Sequence, residues 1–530
     1  MITAEDFSDE ERRKLEPYFT NLDGPVFALR NLPEVVKGAL FARYSRSSKS
    51  LRRLFLDEFL DQVDAGHPTT EVGVQRADKL YERVFDDYGD DSVAQLGGAH
   101  VACEGASNIL TKVLEWGRLM AYLEQSTRYI AYNDRRGGSW KYLVPAELEH
   151  SPLRQRYVAC LDHAFETYAR WIEPLEQHYR AKYPKAPGDA DGVYKRTIRA
   201  KALDTLRGLL PAATQSNVGL FGTGQAYEAM LLRMRVHPLA EVREYADLML
   251  TELRQVIPSF LKRVDRSDRG GRWSRYLQET RDATQAVAQR LLTGVSAAAS
   301  SEVELTEYDP DGEVKVVAAA LYAASNLPDS QLLQQARRMT GEQRAAVLRA
   351  YVGERQNRRH KPGRAFERTS YRFDILTDYG AFRDLQRHRL LTLEWQPLSP
   401  RHGYAVADAI HDAGALADWE QVMQESAEIH DALWAGGHTA IAPYAVSMAY
   451  RVRFYMELNA REAMHMIELR TAPQGHPAYR RVCQAMHRLI AEQAGHRAIA
   501  AAMSFADHSA VELERLHAER ASEQRRRERG

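Results

Sequence analysis

Cysteine is scarce. The 530-residue chain has three (Cys103, Cys160, Cys483), far apart and without a C-x-x-C pair. That excludes a disulfide framework and a thiolate zinc site, and it suits a reducing cytoplasm. Net charge is missing too: 72 Lys+Arg stand against 72 Asp+Glu, so nothing pulls the whole chain towards nucleic acid or a membrane surface. No uninterrupted apolar stretch is long enough to span a bilayer, and Met1–Lys14 is acidic and polar, unlike a signal peptide. The histidines form no H-E-x-x-H or comparable metal frame, and no lysine follows a glycine cluster as it does in a phosphate-binding loop. Gly222-Thr223-Gly224 lacks the third glycine and the preceding strand of a dinucleotide fold, and His430 and His438, flanking a glycine pair, read as loop residues. The expectation is a soluble, cytoplasmic protein with no metal, no nucleic-acid partner and no membrane attachment.

What is present is enough apolar residue to build cores, 44% of the chain, in a length that calls for two or more domains. It is also repeated. Ala39-Leu40-Phe41-Ala42-Arg43-Tyr44-Ser45 and Ala320-Leu321-Tyr322-Ala323-Ala324-Ser325 open two similar segments, each running to an arginine-rich loop at 116–129 and 387–404. An amphipathic helix follows in both. Val158, Leu161, Phe165, Tyr168, Ile172, Leu175 and Tyr179 share one face in the first, and Trp419, Val422, Met423, Ile429 and Leu433 in the second. Leu231-Leu232-Arg233 with Arg243 is matched by Glu468-Leu469-Arg470 with Arg480. The offset between copies is 389 − 118 = 271 at the loops and 470 − 233 = 237 at these arginines, so the first copy is longer in between. Tyr183-Pro184-Lys185-Ala186-Pro187-Gly188-Asp189 reads as the inserted loop. Two copies of one α/β (α+β) unit are therefore expected: 1–262, a partly helical linker 263–299 with a helix near Gln278–Leu292, a second copy 300–510, and a charged tail 511–530. The turn Asp309-Pro310-Asp311-Gly312 fits either a hairpin or a strand leading into a helix.

The chemistry concentrates in the two loops. Arg387-His388-Arg389 places two guanidiniums and an imidazole in three residues, costly to bury without an anion and suited to phosphate or the anionic edge of a flavin. A surface basic turn is the alternative. In the first copy Glu124, Ser126 and Arg128 would share one face if extended, and such a trio can hold a nucleotide; an ordinary polar edge strand would look the same.

Both loops resemble the signature R-H-R-x-x-S-x-N-E-x-S-x-R of flavin-dependent thymidylate synthases. Arg118, Glu124, Ser126, Arg128 and Tyr129 match its second half, with Trp116, Gly117, Ala121 and Leu123 departing from it. Arg387, His388, Arg389 and Thr392 match its first half, and 393–401 is two residues too long for the rest. The downstream pattern A-R-x-x-L-P, then N-x-R-x-L-x-x-F-L-x-L-R, divides the same way. Leu206-Arg207-Gly208-Leu209-Leu210-Pro211 and Arg233 stand in copy one; Asn459, Arg461, His465 and Arg470 stand in copy two, with Pro443 near the missing A-R-x-x-L-P arginine. Arg364-Ala365-Phe366-Glu367 lies where the family has another flavin-contacting segment.

The resemblance implies two tandem units, each a small sheet packed with long helices, that form a pseudo-tetramer as a homodimer. It implies reductive methylation of dUMP at C5 with FAD as cofactor, and with NADPH and methylenetetrahydrofolate as co-substrates. It assigns flavin to Arg387, His388, Arg389, Thr392, Asn459, Arg461 and His465 in copy two. It assigns the nucleotide to Glu124, Ser126, Arg128 and Arg207 in copy one, with Arg233 and Arg470 as catalytic arginines at the pyrimidine. Two alternatives stand beside it: an inactive flavin- or nucleotide-binding regulator, and a flavin-dependent enzyme modifying C5 of another pyrimidine nucleotide.

Overall fold

A computed structural model describes residues 6–24, 27–44, 47, 49–60, 95–135, 137–187 and 189–509; Ser45, Gly188 and the 511–530 tail lie outside the described residues. Among those described, no helix is long and apolar enough to cross a membrane. The chain forms two compact units interleaved along the sequence: 1–106, 117–124 and 217–295 in the first, 107–116, 125–216 and 296–530 in the second. These units cut across the sequence repeat, because segments of copy one belong to each.

The first unit carries a three-stranded sheet in the order β1-β3-β2, from Gly98–Ser107, Gln215–Thr223 and Met120–Glu124. Strands β2 and β3 are antiparallel, Met120 facing Gly222 and Glu124 facing Val218. Gly222 and Thr223 thus end a strand, contrary to the sequence expectation, and Gly224 opens the helix Gly224–Met234. The linker region is one long helix, Gly270–Leu292, starting eight residues before the predicted segment.

The second unit holds a four-stranded sheet ordered β4-β5-β7-β6, from Val303–Tyr308, Ser370–Asp378, Arg451–Asn459 and Leu391–Trp395. All its pairings are antiparallel. Tyr371, Phe373 and Ile375 on β5, with Val452, Phe454, Met456 and Leu458 on β7, are buried at every second position, as a sheet with one covered face requires. After β4 the chain turns into the helix Gly312–Tyr322, so the Pro-Asp-Gly turn joins strand to helix and makes no hairpin. The helix Arg154–Lys182 buries Leu161, Phe165, Tyr168, Ile172, Leu175 and Tyr179, with Tyr157 in place of Val158 at its start. Leu416–Ala435 buries Trp419, Val422, Met423, Ile429 and Leu433. His430 belongs to this helix and is buried, its Nδ1 2.9 Å from Asp431, so only His438 is in a loop. The Pro/Gly segment after Lys182 is a turn between two helices, and the extra length of copy one includes the helix Asp191–Leu206.

Structural register confirms the repeat and sharpens it. β2 and β6, Met120–Glu124 and Leu391–Trp395, differ by 271 residues at each end. β3 with the helix after it, and β7 with the helix Ala460–Arg470, differ by 236 throughout. Within the second unit the copies meet around a pseudo-two-fold axis. Met448 N donates to Leu210 O at 2.9 Å and Ala212 N to Val446 O at 2.8 Å. Ala449 N donates to Gly208 O at 3.0 Å and Ala213 N to Tyr444 O at 2.9 Å. Positions 208 and 444, 210 and 446, 212 and 448, 213 and 449 are each 236 apart, and the bridge at the centre pairs Pro211 with Ser447, again 236 apart. Such reciprocal bonding is the signature of an isologous interface, here closed inside one chain.

Candidate active site

The Arg-His-Arg segment connects the helix Tyr379–Leu385 to β6. Its residues part company there. His388 is buried, Arg389 is exposed, and Arg387 is half-buried with Nε 3.8 Å from the buried carboxylate of Glu115. Thr392 is exposed on β6 opposite Glu457. Asn459 ends β7, and its side chain accepts from Glu462 N, capping the helix Ala460–Arg470. One turn on, Glu462 and His465 face His388: Glu462 Oε1 lies 3.2 Å from His388 Nδ1, and the imidazole centroids are 5.4 Å apart. Arg470, the last residue of the helix, donates Nε–H to His388 Nε2 at 3.0 Å. An arginine can only donate, so His388 carries its proton on Nδ1 and gives it to Glu462.

His388 is held well below the ordinary histidine range, by burial first and then by Arg470 and Lys361. Burial, with Lys361 and Arg358 adding to it, takes His465 down to about 4, and burial pushes the Glu462 carboxyl up. His388, Glu462 and His465 bring donor atoms within 4.8 Å of one another, the geometry of a metal triad. As arranged they suit an anion better. Arg470 claims one His388 nitrogen and the other is protonated, while Arg389, Arg461 and Lys361 make the surroundings positive.

A second cluster joins this one through Arg470. Arg128 makes a bidentate pair with Asp204, Nε and Nη2 lying 2.7–2.9 Å from the carboxylate oxygens. Its Nη1 reaches Tyr479 Oη at 3.3 Å, and the guanidinium of Arg470 stacks 5.5 Å from the same tyrosine ring. Asp384 lies between the copies' arginines, 3.5 Å from Arg207 Nη1 and 3.8 Å from Arg470 Nη1. Burial alone would raise the Asp384 carboxyl, but Arg207, Arg470, Arg387 and Arg128 hold it below the usual carboxylate range. Arg207 is buried, and its Nη2 has no hydrogen-bond partner. A Cβ at Gly380 would lie 3.0 Å from both Arg207 Nε and Asp378 Oδ1, so the glycine leaves room for the guanidinium.

Arg128, Asp204 and Arg207 line a cavity of about 610 Å³ together with Lys201, Arg481 and His476. His476 caps the helix Pro477–Glu492, accepting at Nδ1 from Ala478 N at 3.2 Å, which leaves the proton on Nε2. Burial, then Arg207, Arg128, Arg481 and Lys201, keep it neutral, far below its ordinary value. With Lys182 the cavity is bordered by five cations against the carboxylates of Asp204, Asp378 and Asp408, and together with a neutral donor and a helix N-terminus they can receive a phosphate.

Of the residues read from sequence, Arg128 and Arg207 of copy one and His388 and Arg470 of copy two come together in the second unit. Glu124 and Ser126 do not share an extended face with Arg128: β2 ends at Glu124 and a turn begins at Ser126, whose hydroxyl accepts from Arg128 N at 3.3 Å. Glu124 and Arg233 belong to the first unit. The 236 register places Met234, not Arg233, opposite Arg470, so the expected equivalence of the two arginines is one residue out. Burial lowers the Arg233 pKa. Arg461 donates Nε–H to Pro362 O at 3.0 Å and lies 3.5 Å from Glu367, near the Arg364–Arg368 turn. Asp204 and Asp384 were missed, although each stands three residues before an arginine already singled out, Arg207 and Arg387.

Comparison with known proteins follows the repeat. A family model described as thymidylate synthase complementing protein matches twice, over residues 38–259 and 304–495. A UPF0159 protein of Chlamydia muridarum is 38% identical over 527 residues, covering 98% of this chain and 99% of its own length. One from Thermoplasma acidophilum is 29% identical over 509 residues, covering 91% and 97%. A flavin-dependent thymidylate synthase of Clostridium tetani is 25% identical over 178 residues, 33% of this chain and 66% of that one. The crystal structure of a UMP/dUMP methylase, PolB from Streptomyces cacaoi bound with 5-Br dUMP, aligns with TM-score 0.29 and 21% identity, covering 38% of this chain and 94% of its own. The two matched regions take in most of the sequence and both halves of the arginine network, and the chain belongs to the thymidylate synthase complementing protein family as a tandem member.

Proposed function

We propose that the chain is a flavin-dependent thymidylate synthase whose single composite site draws on both copies, methylating dUMP at C5. One observation carries this reading: Arg470 touches His388 of the Arg-His-Arg loop and, through Asp384 and Tyr479, the arginines Arg207 and Arg128 that border the cavity. A group bound at the loop and a nucleotide in the cavity would therefore be held by one connected set of side chains. This revises the division by copy, since Arg470 of copy two joins the nucleotide side.

The loop residues fit FAD. Arg389 and Thr392 are exposed, Arg461 is half-buried, and Lys361 and Arg358 add positive potential around two neutral histidines. Phosphates and the electron-rich edge of an isoalloxazine ring are the groups such a set recognises. Bound there, the flavin would relay the hydride from NADPH, with methylenetetrahydrofolate giving the carbon. The chain's own residues would orient the two rings, pair charge on the nucleotide phosphate through Lys201, Arg207, Arg481 and the His476 cap, and keep His388 neutral beside the base. No protein nucleophile is needed. By the same family relation we propose a homodimer in which the pseudo-two-fold of one chain is repeated as a tetramer-like assembly.

The test is the visible spectrum of the purified protein before and after denaturation, followed by dUMP titration. Flavin bands released on denaturation, dUMP binding, and rescue of a thymidine-requiring strain would support the proposal. A colourless protein that takes up no added FAD would overturn it.

A further inference from the structure

We propose that Asp384 is a built-in counter-ion that sets the selectivity of the cavity, weakening simple anions so that a ligand must bring more than a phosphate to bind. The inference rests on the reading of the cavity as a nucleotide site. Its two carboxylate oxygens are shared between arginines of different copies, Oδ2 lying 3.5 Å from Arg207 Nη1 and Oδ1 3.8 Å from Arg470 Nη1. Neither separation is a close hydrogen bond, so the contact is an ion pair that lowers positive potential without consuming the arginines' directional donors. Arg207 lines the cavity with a buried Nη2 that has no hydrogen-bond partner, whereas Asp384 is not among the lining residues. Its side chain is 17% exposed. The carboxylate thus stands next to the anion receptor without occupying it.

Around this point the charges are Arg128, Arg207, Arg387 and Arg470 against Asp204, Asp378 and Asp384. Asp204 is fully engaged by Arg128, and Asp378, which also lines the cavity, accepts from Ala381 N and is pushed by burial towards its neutral form, so Asp384 is the carboxylate that both Arg207 and Arg470 share. Selectivity built by a repulsive element of this kind costs affinity for every anion and costs least for a ligand with further contacts. A pyrimidine ring and sugar supply those contacts; inorganic phosphate does not. Asp384 is a positioning and selectivity residue in this account, acting through Arg207 and Arg470.

Isothermal titration with inorganic phosphate and with dUMP tests it on the full chain. Asp384→Asn should bind inorganic phosphate about tenfold more tightly, because an acidic charge beside two of the arginines is removed. Its preference for dUMP over phosphate should fall by a similar factor, and Asp384→Glu, which keeps the charge, should show the smaller change of the two variants. Asp384→Asn combined with Arg207→Gln removes the ion pair as a unit and should lose the gain, binding phosphate more weakly than Asp384→Asn because the released arginine is gone too. Phosphate affinity that is unchanged or weaker in Asp384→Asn would overturn the proposal. So would a single variant that fails to fold while the paired variant folds, because the carboxylate's task would then be neutralisation within the fold. If dUMP binds the unmodified chain no better than phosphate, yet phosphate tightens in Asp384→Asn, the counter-ion stands and the nucleotide reading falls.

Discussion

Arg470 Nε donates to His388 Nε2 at 3.0 Å, joining the final residue of one helix to the buried centre of the Arg-His-Arg loop. The bond fixes the imidazole tautomer, so that Nδ1–H donates to Glu462 Oε1.

Substituting Arg470 should therefore damage both halves of the site. Arg470→Ala removes a charge-assisted bond to His388, an ion pair to Asp384 and the ring contact with Tyr479. Bonds to charged groups contribute roughly 1.5–3 kcal/mol, so flavin and dUMP affinities should each fall by about one to two orders of magnitude. Arg470→Lys keeps the charge but not the fork, and should recover less than half of the loss. Fluorescence titration with FAD and calorimetry with dUMP read the two effects separately. Loss confined to one ligand would separate the two clusters that Arg470 joins.

Arg128 and Asp204 should behave as a unit. Their side chains are 17% and 14% exposed, and the pair is bidentate. Removing one partner of a buried ion pair costs about 3–5 kcal/mol, most of it from the charge left behind. Partial exposure places this pair towards the lower end. Arg128→Ala should lower the unfolding temperature, and adding Asp204→Asn should restore most of it. Neither protein should bind dUMP with the unmodified affinity. Full dUMP affinity in the double variant would remove Arg128 from the site.

How much of this was legible beforehand depends on what fixes each residue. The 271 offset read from Arg118 and Arg389 is the offset of β2 and β6, because those strands are pinned by identical pairing with β3 and β7. The 237 offset was keyed on two Leu-Arg pairs, whereas helix phase is set by the caps Thr223 and Asn459, which are 236 apart. One residue turns a helix by about 100°, enough to make Arg233 and Arg470 face differently. Glu124, Ser126 and Arg128 were grouped by assuming an extended chain, and the Ser126 turn breaks that alternation. Asp204 and Asp384 escaped notice because an acid in sequence declares no partner. What gives them a role is the fold, which sets Asp384 beside Arg207, 177 positions away along the chain (384 − 207).

Acid should destabilise the protein earlier than its carboxylates require. His388 and His476 are both depressed far below the ordinary value of 6.5, chiefly by burial. Each is neutral when folded and takes up a proton more readily when unfolded, so the unfolded state gains as pH drops below about 6.5. Stability should be fully present above that value and decline as pH falls towards the folded-state pKa, by up to about 1.4 kcal/mol per unit for each group. Asp384, held below the carboxylate range, contributes only at lower pH. His476→Asn keeps a good helix cap without a titrating ring, and should flatten the unfolding profile between about pH 6.5 and 5. An unchanged slope would mean that His476 titrates normally.

The pseudo-two-fold axis also predicts stoichiometry. Carrying the site's residues to the other copy by the structural offsets keeps Arg389 as Arg118 but replaces four determinants: Arg207 becomes Pro443 and Arg470 becomes Met234 at 236, while His388 becomes Gly117 and Asp384 becomes Val113 at 271. A second site of the same kind would lack the imidazole and two of its arginines, and would carry an apolar side chain where the counter-ion stands. Such a site cannot hold a nucleotide phosphate beside a flavin in the same way. One dUMP and one FAD should bind per chain, so a dimer should bind two of each where four equal copies would bind four. Calorimetric dUMP titration against chain concentration, with flavin counted by absorbance, measures both numbers. A ratio near two per chain would mean that copy one builds a site from other residues, with Arg118, Glu124 and Arg233 the first to substitute. A ratio near one that is abolished by Arg207→Gln would tie the occupied site to the arginines of the second unit.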